Sequence, residues 1–94
     1  MAVVGVSRWV LHLPGCRSLK AKRSVVRSLR DRMISKYRVS AAETALLDRA
    51  STAELTASVV SRDRRHAESV LGKLDTFMRS DPRAHVIEKE TAFL

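Results

Sequence analysis

Of the seven cations in residues 1–31, five follow one pattern: Arg17, Lys20, Arg23, Arg27 and Arg30. The last four recur at i, i+3, i+4 intervals. On a helix this sets one positive side chain per turn in a single ridge, with Arg17 at its entrance. Like charges at that spacing repel by about 0.2–0.5 kcal/mol per pair, so the ridge works against the helix that carries it. Asp31 is the one acid within residues 18–38 that offsets them. The chemistry open to such a ridge is capture of phosphates strung along a backbone, with arginine adding a two-pronged donor. The plainer reading is a solvated helix face. Directly ahead of the ridge, Gly15, Cys16, Arg17 and Ser18 feed a helix N-terminus, where unpaired N–H groups and the positive end of the helix dipole favour an anion. Gly15, Arg17 and Ser18 are therefore the candidate anion-binding residues.

The other reactive side chains are sparse. Cys16 is alone, which excludes a disulfide framework and a cysteine-rich metal site. Its place beside Arg17 and a helix start favours the thiolate, but no histidine lies close in sequence to act as a base, so a bystander thiol is expected. His12, His66 and His85 have no zinc-type spacing, and no metal ligand or cofactor is assigned. Asn and Gln are absent altogether, which removes the side chains that best read adenine and the amides many active sites use.

These residues need elements to hold them. Residues 2–13 alternate as a strand, with Val3, Ser7, Trp9, Leu11 and Leu13 on one face and Val4, Val6, Arg8, Val10 and His12 on the other. Pro14-Gly15 breaks it, and Ser18 is placed to cap the basic helix. Leu19, Val25, Val26, Leu29, Met33 and Tyr37 form the apolar face of that helix; Lys22 falls within it and is expected to snorkel past the sheet edge. Residues 39–45 and 53–61 read as two more strands, joined by a turn over 46–52 without Gly or Pro. Asp63 caps a second helix over 64–80, whose Ala67, Val70, Leu71, Leu74, Phe77 and Met78 repeat at helical spacing. Residues 84–93 make a last, charged strand.

The order strand–helix–strand–strand–helix–strand predicts an α+β fold, the ferredoxin-like βαββαβ sandwich: a four-stranded antiparallel sheet with both helices on one face, filling residues 1–94 as one domain. Right-handed crossovers put the first and third strands in the centre. An acylphosphatase-type enzyme of that fold binds phosphate after its first strand, but it needs an Asn to position water, and there is none. No catalytic residue is assigned. The third strand has no aromatic and Trp9 falls on the helix-covered side, so base stacking on the open sheet face is not expected. Val4, Val6 and Val10 there suit protein contact or homo-oligomerisation, as an edge strand would.

Charge is unevenly spread. Of the net +8, residues 1–38 hold ten Lys and Arg against one Asp; residues 39–62 hold two against three, and residues 63–94 six against six. Such asymmetry points to nucleic acid or another polyanion. With no secretory leader pattern, no apolar run near the ~20 residues that span a bilayer, and one cysteine, a cytoplasmic protein without a membrane partner is expected.

The segments His12-Leu13-Pro14, Ser18-Leu19-Lys20, Lys22-Arg23-Ser24-Val25-Val26 and Ser61-Arg62-Asp63-Arg64-Arg65-His66-Ala67-Glu68 resemble the YlxP-like family of small bacterial proteins of unknown function. The resemblance implies the ferredoxin-like fold and a gene neighbourhood of transcription and translation. The chain departs at Ala21, where the family commonly has Glu. It departs again at Asp48-Arg49-Ala50-Ser51-Thr52, where an Asp-x-Trp-Gln-Arg segment is common. Together these readings lead to a non-enzymatic binding module for RNA or a ribosomal particle through Arg17, Lys20, Arg23, Arg27 and Arg30. The alternative is a protein-interaction or homo-oligomerisation module on the open sheet face or an edge strand.

Overall fold

In the computed structural model, which describes residues 1–94, the alternation of the first strand resolves as β1 (Val3–His12), followed by α1 (Leu19–Tyr37), β2 (Ser40–Ala45), β3 (Thr52–Ser61), α2 (Arg64–Ser80) and β4 (His85–Phe93). The sheet order is β2-β3-β1-β4 and every pairing is antiparallel, so β1 and β3 are central. This is the expected ferredoxin-like architecture. Register sets the faces as the alternation predicts: Trp9 pairs Leu55 and Leu11 pairs Ala53 on the helix-covered side, while Val4 pairs Val60 and Arg8 pairs Thr56 on the open side.

The core lies between the sheet and the two helices. Trp9, Leu11 and Leu55 from the strands meet Val26, Leu29 and Met33 from α1 and Leu71, Leu74 and Met78 from α2. Trp9 is fully buried, and its indole N–H donates to Asp75 Oδ1 at 3.0 Å, which satisfies the ring's one polar group. Gly5 lies where α2 presses closest to β1. A Cβ there would meet Leu71 Cδ1 at 2.9 Å and Phe93 Cε1 at 3.2 Å, so a side chain at this position forces Leu71 to shift.

Local chemistry ends both helices as read from sequence. Ser18 Oγ accepts the Ala21 N–H at 3.1 Å and Asp63 Oδ1 accepts the Arg65 N–H at 2.9 Å. No acidic residue stands in the first turn of α1. Arg38 closes α1 in a left-handed conformation (φ 55°) with its N–H donating to Ile34 O.

Lys22 corrects the expectation of snorkelling. Its side chain is fully buried, and its ammonium donates to the carbonyls of Leu46 (2.8 Å), Thr52 (3.2 Å) and Leu47 (3.4 Å). Glu43 Oε2 lies 2.9 Å away as its counter-charge, yet accepts no well-aligned hydrogen bond. The three ammonium protons are aimed at the three carbonyls, so Glu43 contributes by proximity of charge. The β2–β3 connection thus closes around a cation instead of a Gly or Pro turn. Leu46 sits at φ 62°, a conformation that costs a non-glycine residue about 1–2 kcal/mol, and its carbonyl is held by both Lys22 and the Arg49 N–H.

Candidate functional site

Helix α1 positions the cationic ridge because its apolar residues fix which way it faces. Val26, Leu29 and Met33 point into the core, which turns Lys20, Arg23 and Arg27 outward into solvent. They line a shallow groove with Ser24, Ser28 and Asp31, and no hydrophobic side chain borders it. Arg17, Lys20, Arg23 and Arg27 have no carboxylate within 4 Å. Arg30 differs: its Nε and Nη2 donate to Asp31 Oδ1 at 3.1 and 3.0 Å, and its side chain is partly covered. The five candidates therefore resolve into four free cations and one that is neutralised by its neighbour.

Elsewhere the cations divide: Arg38, Arg49, Arg62 and Arg65 have no carboxylate within 4 Å, whereas other arginines are spent on acids. Arg64 pairs Glu68, Arg79 pairs Asp75, and both Arg83 and Arg32 face Asp81. The Arg83 guanidinium hydrogen-bonds the Asp81 carboxyl and holds it below the usual carboxylate range, against the upward push of burial. At Asp75, by contrast, burial is the largest single influence and pushes the carboxyl up. The Trp9 indole and the Arg79 guanidinium, with Lys89 nearby, outweigh it and hold that carboxyl low. Arg17, Lys20, Arg23 and Arg27 are thus the unpaired cations that cluster at the start of α1, where the one neighbouring acid, Asp31, is already tied to Arg30.

The anion-binding candidates ahead of α1 lie together at the end of the sheet without forming a closed cradle. The Ser18 hydroxyl is occupied as the helix cap, Arg17 is exposed, and a Cβ on Gly15 would meet nothing within 4 Å. Cys16 is buried, and its N–H donates to Leu13 O at 3.0 Å.

The open sheet face departs from the apolar character expected of it. Arg8, at its centre, donates to Glu54 of β3 and to Glu88 and Glu90 of β4. The hydrogen bonds that Arg8 donates to Glu90, then Glu88 and Glu54, raise its pKa further and fix its charge. The Thr44 hydroxyl, with Arg8, holds the Glu54 carboxyl below its ordinary value. These partners are 46 to 82 residues apart in sequence, so no local signal announces them. The same distance hid another pair: His12 and His85, directly opposite on β1 and β4, bring their ring centroids to 6.5 Å.

No helix is long and apolar enough to cross a membrane. Among solved structures, the de novo designed protein Foldit4 superposes with a TM-score of 0.56 at 14% identity, over 98% of this chain and 97% of its own. The solution NMR structure of the de novo designed ferredoxin-fold protein LFR1 1 gives 0.54 at 16% identity, over 97% of this chain and 85% of its own. Rv0793 from Mycobacterium tuberculosis gives 0.54 at 17% identity, over 100% and 93%. At these identities the likeness is one of fold. No curated protein matches the chain. Residues 4–91 match the family described as "Protein of unknown function (DUF503)", and with nearly its whole length matched the chain belongs to that family.

Proposed function

We propose that this protein is a non-enzymatic, cytoplasmic module that binds structured RNA, in a ribosomal particle or its precursor, through the free cations of α1. The observation that carries this reading is the contrast between paired and unpaired charge. Lys20, Arg23 and Arg27 line one exposed groove and Arg17 stands exposed ahead of it, none with a carboxylate within 4 Å, while Asp31, the acid in that groove, is engaged by Arg30. The ridge destabilises its own helix through self-repulsion, and a bound polyphosphate removes that repulsion. The gene neighbourhood implied by the YlxP-like resemblance points the same way.

The test is binding of a labelled RNA hairpin across a salt series, comparing wild type with a Lys20→Ala/Arg23→Ala/Arg27→Ala variant. Four phosphate contacts from the ridge contribute about −3 to −4 to the log–log slope, and removing three of them lowers its magnitude by about 2 to 3. The variant keeps its fold, and its thermal midpoint stays level or rises, because only mutually repelling exposed groups are removed. If both proteins bind alike, or neither binds at low salt, the reading fails. The open sheet face or an edge strand then becomes the functional surface for a protein partner.

A further inference from the structure

The free cations do not all lie on one side of α1. A second depression, between the two helices, is lined by Lys36 and Tyr37 of α1 and by Ser69, Gly72, Lys73 and Thr76 of α2. Lys36 and Lys73 are both exposed, neither has a carboxylate within 4 Å, and no acid borders the depression. At 3.6 residues per turn, Lys36 lies about 140–180° around the helix from Lys20, Arg23 and Arg27. The neighbours of each group agree with that placement. The residues lining the first groove all belong to α1, whereas Arg32 stacks on Phe77 of α2 and Tyr37 meets the same ring edge-on. Helix α1 is therefore flanked by two separate cationic rows, and its one exposed acid, Asp31, is tied to Arg30.

We infer that the ligand is double-stranded A-form RNA whose two phosphate backbones run along opposite flanks of α1, one on Arg17, Lys20, Arg23 and Arg27, the other on Lys36 and Lys73. This rests on the RNA-binding reading above. A helix with its side chains is about 10–12 Å across, so a single strand following one row does not reach the other without climbing over the helix. A duplex presents two backbones across a groove. The B-form minor groove, at about 6 Å, is too narrow to admit a helix. The B-form major groove, though wide enough, is about 8.5 Å deep, further than α1 can sink with the sheet beneath it and α2 beside it. The A-form minor groove is wide and shallow and displays 2′-hydroxyls. Single strands are held instead by stacking bases on aromatic rings. Here Trp9 and Phe77 are buried, Tyr37 packs on Phe77, and Arg64 covers the Phe93 ring at 4.4 Å. Ser24 and Ser28, on the first groove, place short hydroxyl side chains within reach of the ribose.

The experiment compares a 20-base-pair RNA duplex, the DNA duplex of the same sequence and one RNA strand alone. Each is titrated in a salt series against wild type, Lys36→Ala/Lys73→Ala and the Lys20→Ala/Arg23→Ala/Arg27→Ala variant. The expected result is tenfold or greater preference for the RNA duplex over both other probes. Removing Lys36 and Lys73 lowers the duplex salt slope by about 2 and leaves the single-strand slope unchanged. Equal binding of the single strand or of the DNA duplex, or an unchanged duplex slope in Lys36→Ala/Lys73→Ala, overturns the inference. If the first-row variant still loses RNA binding in that case, the RNA-binding reading survives its refinement. Undiminished binding by the first-row variant defeats both.

Discussion

Replacing Lys22 with Met isolates what a buried cation does for this fold. Methionine keeps the length and apolar stem of the side chain, so the core stays filled and the loss is confined to the ammonium. That ammonium serves the carbonyls of Leu46, Leu47 and Thr52 and lies 2.9 Å from Glu43. Hydrogen bonds to a charged group contribute about 1.5–3 kcal/mol each, but Leu47 is exposed and its carbonyl recovers water, so the three do not sum. The larger effect falls on Glu43, whose side chain is only 17% exposed and is left as an uncompensated carboxylate. Breaking one partner of a buried pair costs about 3–5 kcal/mol, a large share of the ~5–15 kcal/mol that holds a small domain. Urea melts read this directly as a lower midpoint at constant slope, and heating shows a fall of about 12 °C or more. Glu43→Gln is expected to cost less, about 1–2 kcal/mol, because the lysine keeps all three carbonyls. Amide exchange localises the damage: the Arg49 and Leu13 N–H groups, bonded to Leu46 and Ser51, lose protection first. A loss below about 1 kcal/mol in Lys22→Met, the range of exposed pairs, refutes the argument and means that the ammonium reaches water in solution.

Two further outcomes test the packing and the charges. Gly5→Ala drives a methyl group to 2.9 Å from Leu71, and such overpacking lowers stability by about 1–3 kcal/mol; an unchanged urea midpoint would show that Leu71 swings aside without strain. Asp81, held low chiefly by Arg83, binds protons less readily folded than unfolded. It therefore stabilises the fold above its unfolded value of about pH 4, and that contribution disappears as pH falls through the lower folded value. Asp81→Asn is accordingly less stable than wild type at pH 7, and the two urea midpoints converge towards pH 2. A gap that stays constant with pH contradicts the assignment.

The six elements, their order, the two faces of β1 and both helix N-caps are legible in the amino-acid order alone. These follow from local chemistry: period-2 and period-3.6 patterns, a serine and an aspartate at N-caps, and Pro-Gly or Asp-Pro breaks. The ridge on α1 was legible for the same reason, since helical spacing sets it and the apolar face orients it. Tertiary structure decided what each charge meets. Lys22 reads as an ordinary long basic side chain until β2 and the following connection close over it with Glu43 and three carbonyls. Arg8 reads as one polar residue in an apolar strand until β3 and β4 bring three glutamates to it. Lys36 and Lys73 form one row only because α1 and α2 pack side by side. Backbone preferences are written within a few residues of where they act. Charge pairing and burial depend on which distant strands the fold sets next to each other, and only the assembled sheet and helix layer supply that.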